Sequence, residues 1–537
     1  MNMDRVLKIN PEKAADFGSN ILTTSNNPIW QQKSIGGNFI LFGLFEFQIK
    51  KEKKSGKLSC TLSGISKLNI LEFVRGAGFR KRYLKDSNTY LMVQVKDNIM
   101  DQVTIDLIRV ETFREMQSVE DITIFIDEET FFTFERDLLH TIYLKNQDQI
   151  FNKNFLELMD EFTVPELRDD RENSFFLFSN CIVKVDKASN ESIPYRKLSD
   201  MNRCVWKSHI MNRDYKRIDT GEMSEFEKFI INISSNQPER IRAFKSAIGY
   251  LLHHYNGSHM GQAVVCYDET PTDVKNPQGG TGKGLFAQAI GNMREAAKID
   301  GKHLKADDKF RFQTVKVTSQ VVFIDDLNKE VPFEIFFSCL TDGWTIEKKH
   351  TDTIKLTPED SPKMLFSMNT IISGNGSSHK RRMFILEFSD HYSKQIFHGN
   401  EHPIEDEHGV LFDRIKWTAK DWNLFSTYMI DCLAFYLEND LQPYELINVG
   451  KNTLIQTTSE DFAEWTQEKD FQTGVYYRTK DLFEEFRDRY YGLDADYKQR
   501  TFTNNMGKYA AIKGWDFKVM TDPVSKLSEF TFKEKTH

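Results

Sequence analysis

The chain has 537 residues, 39% hydrophobic and 28% charged, with a net charge of −8. This is the balance of a soluble protein of several domains, and it excludes a global basic field for nucleic acid. The six cysteines include no Cys-x-x-Cys pair, which points to reduced thiols and no structural zinc. The N-terminus lacks a signal-peptide core and no apolar run approaches the roughly 20 residues that span a bilayer, so the sequence predicts a cytoplasmic protein with no membrane contact.

Residues 1–115 read as a mixed α/β accessory domain. Asn38 to Ile49 is apolar and β-prone, and the basic turn Lys50 to Lys57 separates it from Leu58 to Leu62, a hairpin pattern. A solvated tip explains those lysines more simply than a phosphate contact does. A helical and β linker region, 116–235, follows. Apolar residues recur at helical spacing from Glu129 to Met159, and Phe175 to Phe178 with Cys181 to Val185 form a small β unit. Ser224 to Tyr255 is helical, with Pro238 in a first turn. Asp127, Glu128 and Glu129 are the nearest thing to a carboxylate cluster in this half, and they read as a loop or cap.

From 236 to 395, strands and helices alternate, the signature of an α/β domain with a parallel sheet. A helical segment, 396–455, contains Trp422 to Leu437; the acidic run Glu401 to Glu407 reads as a loop. In 456–537, Thr479 caps a helix from Asp481 to Tyr491, a second helix runs near Phe502 to Ile512, and Gly514 stops it. Trp515 to Met520 and Leu527 to Phe532 then make a hairpin, so the C-terminal domain is winged-helix-like.

The chemistry concentrates in the α/β domain. Gly279, Gly280, Thr281, Gly282, Lys283 and Gly284 form a glycine-rich loop ahead of an apolar helix. Glycines let backbone N–H groups converge on anionic oxygens, the lysine adds a point charge for β/γ-phosphates, and the helix adds its positive dipole end. The usual loop has Gly where Pro277 stands and Ser or Thr where Gly284 stands. Without that hydroxyl, Mg²⁺ must rely on Asp325, phosphates and water, which its chemistry allows.

Val321 to Ile324 is an apolar strand ending in Asp325 and Asp326. Carboxylates at such a strand end organise Mg²⁺ (Asp325) and activate a water (Asp326). Lys363 to Met368 is a further strand ending in Asn369, whose amide orients water or senses the γ-phosphate. Arg381 and Arg382 follow a Gly/Ser-rich loop and read as transition-state cations delivered to a neighbouring subunit. Arg382 is preferred because it adjoins the apolar strand Met383 to Leu386.

The order of these elements resembles superfamily III helicases, specifically the primase–helicase proteins of phages, plasmids and large DNA viruses. Gly279 to Gly284 is similar to that family's Walker A loop, and Ile324-Asp325-Asp326 to its Walker B strand. Leu340 to Lys349 resembles its intervening motif, Ser361 to Asn369 its sensor motif, and Arg381 to Phe384 its arginine-finger segment. The resemblance is best from about 240 to 395. It implies an AAA+-like P-loop ATPase that forms a ring, usually a hexamer, around DNA, with ATP and Mg²⁺ at subunit interfaces. It also implies a moving β-hairpin, and Lys348, Lys349 and His350 stand where that hairpin belongs. Residues 1–240 contain no Cys/His set or carboxylate triplet of a primase, so the chain reads as the helicase half alone, with a separate primase or polymerase as a possible partner.

The sequence therefore predicts an α/β multidomain ATP-dependent DNA helicase acting on single-stranded or forked DNA in a phage, plasmid or other mobile element. Two rivals remain: a DNA-packaging or remodelling motor, and a replication-initiation scaffold with a degenerate nucleotide site.

Overall fold

The computed structural model describes residues 33–34, 39–85, 87–127, 129–257, 261–269, 280–349, 353–369, 377–392, 402–446, 449–490 and 497–534. Its chain divides into two compact units. One comprises Met1–Leu167 with Arg196–Lys207, the other Arg168–Tyr195 with Ser208–His537.

In the first unit, Asn38 to Ile49 is two strands rather than one. Phe39–Phe42 and Phe45–Lys51 pair antiparallel, and Phe45–Lys51 continues through the basic turn into Leu58–Ile65. The helical spacing read from Glu129 onward is also corrected at its start. Phe131–Phe134 is a strand paired with Ile122–Phe125, and the helix begins at Arg136. Three aromatic rings in four residues, all buried, favour a pleated ribbon over a helix turn.

The second unit is built on the α/β domain. Two helices, α1 (Glu225–Ile233) and α2 (Pro238–Leu252, with Pro238 in its first turn), precede the central sheet. Then follow β1 (Ala263–Asp268), α3 (Lys283–Gly291), β2 (Ala296–Asp300) and β3 (Val321–Asp325). A small hairpin, β4 (Trp344–Ile346) and β5 (Ile354–Leu356), leads to β6 (Lys363–Ser367) and β7 (Met383–Phe388).

The five-stranded sheet has the order β2-β3-β6-β1-β7, and every neighbouring pair is parallel. Its central strands are buried along their lengths, as a sheet covered on both faces requires. Alternation assigns the faces. Val264, Cys266, Phe323, Leu365 and Leu386 join the core with α1, α2 and α3. Ala263, Val265, Tyr267, Ile324 and Phe366 join a second core with Phe312, Phe336 and Trp344. Parallel strands put all their C-terminal ends along one edge, so Asp268, Asp325 and Ser367 arrive together there.

Beyond the sheet, the acidic run read as a loop is in fact a helix, α4 (Pro403–His408), with Pro403 at its start. The buried His408 ring anchors it, bonded to Tyr392 Oη at 2.7 Å and Glu225 at 3.1 Å. A long helix α5 (Ala419–Asn439) begins on a Thr418–Asp421 capping box.

The C-terminal region contains α6 (Glu460–Glu468), β8 (Tyr476–Arg478), α7 (Thr479–Tyr490), α8 (Gln499–Lys513), β9 (Trp515–Thr521) and β10 (Ser528–Glu534). The sheet β8-β10-β9 is antiparallel, and Gly514 closes α8 in the left-handed conformation. This is a winged-helix arrangement. Its strand β8 and helix α6 were not legible in the sequence, and Thr479 is the first residue of α7 rather than its cap.

All six cysteines are buried and unbridged. No helix among the described residues is long and apolar enough to cross a membrane.

Candidate active site

Three adjacent strand ends build the site. At the first, β1 ends in Asp268 and α3 starts at Lys283, with Gly282 before it in the left-handed region at φ 95°. A Cβ on Gly282 would lie 2.6 Å from the Phe229 ring, so both conformation and packing require glycine there. Lys283 donates to Asp268 Oδ2 at 2.5 Å, and Thr281 Oγ1 donates to Asp268 Oδ1 at 2.5 Å. The pair is buried, with side-chain exposures of 9% for Lys283 and 4% for Asp268. Gly280 also has a positive φ, 135°. Gly279 lies outside the described residues.

Gly284 is different. A Cβ there would meet no described atom within 4 Å, so a Ser or Thr would fit. The missing hydroxyl is not forced by packing.

At the second strand end, Asp325 closes β3 and Asp326 turns away from it with φ 55°. That conformation is uncommon for a side-chain-bearing residue, and Asp tolerates it better than most. The surroundings hold it. The Asp326 N–H donates to Ser367 Oγ at 2.8 Å, Asn369 Nδ2 donates to Asp326 Oδ1 at 2.7 Å, and Lys302 pairs with Oδ2 at 2.8 Å. Asp325 accepts from Ser367 Oγ at 2.8 Å and pairs with Lys298 at 2.7 Å. The hydrogen bond to Asp326 and that residue's charge raise the pKa of Lys302 above the ordinary lysine value.

At the third, Ser367 ends β6 and Asn369 follows two residues later. Its amide nitrogen is spent on Asp326, while its Oδ1 is buried without a hydrogen-bond partner among the described residues. An orphan acceptor beside a carboxylate is a place for a water to donate.

The other sequence candidates lie apart from this trio. Arg382 stacks its guanidinium 4.5 Å from the Phe337 ring centroid and donates to the Ser378 carbonyl at 3.2 Å, while Arg381 is exposed. The basic segment does sit in a hairpin: β4 and β5 pair antiparallel from Trp344–Leu356 to Ile346–Ile354. Gly343 precedes it at φ 96°, where a Cβ would lie 2.2 Å from the Leu356 carbonyl oxygen. Lys348 is half-buried, and burial followed by repulsion from Lys316 lowers its pKa. Lys349 is exposed, with its ammonium 5.9 Å from the Phe310 ring. His350 lies outside the described residues.

Four residues of this site carried little or no signal in the sequence. Asp268 lies well before the glycines in sequence and belongs to no motif there. Ser367 read as part of an apolar strand. Lys298 and Lys302 flank a strand end with no motif.

No family model matches the chain, and no curated protein matches it. Among solved structures it is similar to one titled "The A form apo structure of NrS-1 C terminal region-CTR". That likeness is 12% identical, with a TM-score of 0.31, covering 67% of this chain and 96% of the other. A second structure of the same region, 305–718, is 13% identical with a TM-score of 0.28 and the same coverage. At these scores the likeness carries no argument about activity.

The donor set fits a magnesium nucleotide. Among the described residues no group of three or more His, Cys, Asp or Glu side chains could hold a metal by itself. Mg²⁺ bound to a nucleotide needs no such cage, because one or two carboxylates, phosphates and waters complete its shell. Asp325, one-third exposed and held by Ser367, is the carboxylate available for it.

Proposed function

We propose that this protein is an ATP-dependent DNA helicase, working as a ring of identical subunits in the replication of a phage, plasmid or other mobile element. The observation that carries the reading is the 2.7 Å hydrogen bond from Asn369 to Asp326, across neighbouring strand ends, one strand away from the Lys283 loop. In this reading water activation and phosphate binding share one edge of one sheet.

In this reading Lys283 and the first turn of α3 bind the β- and γ-phosphates of ATP. Asp325 and the nucleotide's phosphates would hold Mg²⁺, which would supply charge neutralisation at the transferred phosphoryl group. Asp326 accepts the proton of the attacking water, and Asn369 Oδ1 accepts a hydrogen bond that aims it. Asn369 also holds Asp326 in its left-handed conformation, so it works on the base as well as the water. Arg382, or the more exposed Arg381, stabilises transition-state charge on a neighbouring subunit. Lys348 and Lys349 offer donors to DNA phosphates, a contact that tolerates any sequence and weakens with salt.

Strand displacement on forked DNA tests this. ATP-dependent displacement by the wild type, lost in Lys283→Ala, is the expected result. Hydrolysis without displacement favours a packaging or remodelling motor. Equal background hydrolysis by both proteins favours a scaffold with a decayed site. Mass measurement with ATP and single-stranded DNA checks the ring: a monomer under all conditions removes the in-trans role of the arginines.

A further inference from the structure

A phosphate-binding lysine is useful because its charge is available to phosphate. In this protein the charge is already matched. Lys283 and both oxygens of Asp268 form a closed, buried arrangement: one oxygen accepts from the lysine, the other from Thr281. Asp268 is fixed by the sheet as well as by these donors. It is the last residue of β1, in register with Phe388 of β7, and only 7% exposed. Thr281 and Lys283 both belong to the glycine loop, so one carboxylate gathers the two side chains that the loop turns inward.

We propose that Asp268 is a built-in competitor for the nucleotide: a triphosphate or diphosphate engages Lys283 by displacing this carboxylate, and Asp268 thereby sets how tightly nucleotide is held. The inference rests on the reading of Gly280 to Lys283 as a phosphate loop.

Three physical points support it. First, phosphate oxygens and a carboxylate are like charges seeking the same ammonium, and in a site this buried they are poorly screened. Second, Asp268 is held by Thr281 and by its place at the end of β1, so it is pre-organised and Lys283 returns to it without a search once phosphate leaves. Third, the exchange leaves Asp268 with Thr281 still donating to it, so the displaced carboxylate is not stripped of every partner. A competing anion of this kind limits affinity for ATP and for ADP alike. A motor that must discard ADP at every step works better when product is not held too tightly.

The opposite role has Asp268 aim Lys283 at phosphate, so that its loss weakens binding. The two roles differ in sign. Calorimetric titration of the 537-residue chain with ADP, with and without Mg²⁺, separates them. Asp268→Asn is expected to bind ADP at least tenfold more tightly than the wild type, with the Michaelis constant for ATP falling in step. Asp268→Ser, smaller and still able to accept from Thr281, is expected to do the same and serves if the amide variant does not fold. Equal or weaker binding by a folded variant overturns the proposal. A wild type that binds no ADP at all instead overturns the phosphate-loop reading on which it rests. A general loss of structure lowers affinity, so a gain cannot come from damage alone.

Discussion

The central sheet has two ends, and they are finished differently. Near its N-terminal end lies a buried polar network centred on Arg294 and Asp169. Arg294 donates to Leu252 O at 2.7 Å, Phe175 O at 2.8 Å, Ser174 Oγ at 2.8 Å and Asp169 at 3.0 Å, and its guanidinium lies 4.4 Å from the Phe176 ring. Asp169 in turn accepts from the N–H groups of Phe175 and His254, each at 2.8 Å. Burial alone would raise the Asp169 pKa, but Arg294, His253 and these donors outweigh it and hold the group below its ordinary value. The C-terminal end holds the buried Lys283–Asp268 pair and, beside it, lightly held parts: ion pairs of exposed lysines, a left-handed aspartate and an amide oxygen with no partner among the described residues. The difference teaches where function sits. The network around Arg294 is held by uncharged backbone and side-chain partners as well as by Asp169 and fixes architecture, while groups left under-satisfied, lightly paired or paired to a single anion are the ones available to a ligand.

The comparison can be broken at either end. The largest expected effect is at the site. Asp326→Asn keeps a side chain that tolerates positive φ but removes the proposed base, so hydrolysis should fall by about 10²–10⁴-fold with nucleotide affinity little changed. Single-turnover ATP hydrolysis with a parallel ADP titration measures both. Next, Arg294→Met strands a buried carboxylate and should cost about 3–5 kcal/mol in denaturant unfolding. A loss below about 1 kcal/mol, the range of exposed pairs, would erase the distinction between the two ends.

Lys363 gives a pH-dependent effect. It opens β6 at the architectural end, buried, with its ammonium 3.6 Å from the Tyr250 ring centroid. Burial lowers its pKa to about 7; Asp169 pulls the value up and Arg294 pushes it further down. The unfolded chain titrates near the ordinary lysine value of about 10.4, so between the two values the unfolded state binds the extra proton. Stability should therefore rise with pH across that window, by up to ~1.4 kcal/mol per unit. Below about pH 7 the penalty is fully present and constant. Lys363→Met should flatten this component in melting curves taken from pH 7 to 10. The smallest effect belongs to Lys298. Its ion pair with Asp325 is solvent-exposed, so Lys298→Ala should leave stability within about 0.5 kcal/mol. The same change frees a carboxylate oxygen and should lower the Mg²⁺ needed for half-maximal hydrolysis by no more than a few-fold.

How much of this was legible in the sequence follows the same division. The strand ends were readable because each is an apolar run closed by a polar residue, as at Ile324-Asp325-Asp326 and Met368-Asn369. The two C-terminal helices were readable from period and turn residues, and the hairpin of Lys348 and Lys349 from the family resemblance. What closes the site was not. Ser367 has no motif, since a serine ending an apolar strand only acquires a partner once β3 and β6 are in register. Asp268 lies well before the loop in sequence and meets Lys283 only through the fold. The helix Pro403–His408 looked like a charged loop because its buried anchor, His408, finds Tyr392 and Glu225 from distant elements. The strand Phe131–Phe134 was misread because a short apolar run satisfies a helical period as well as a strand's.

The central claim is that Lys283, Asp326 and Asn369 form one hydrolytic site on one sheet edge. The most direct test is steady-state ATP hydrolysis, with and without forked DNA, for the wild type, Lys283→Ala, Asp326→Asn and Asn369→Ala. The account predicts DNA-stimulated hydrolysis in the wild type, lost in all three variants, with ADP binding lost only in Lys283→Ala. Hydrolysis that persists in Asp326→Asn and Asn369→Ala at the wild-type rate would contradict it.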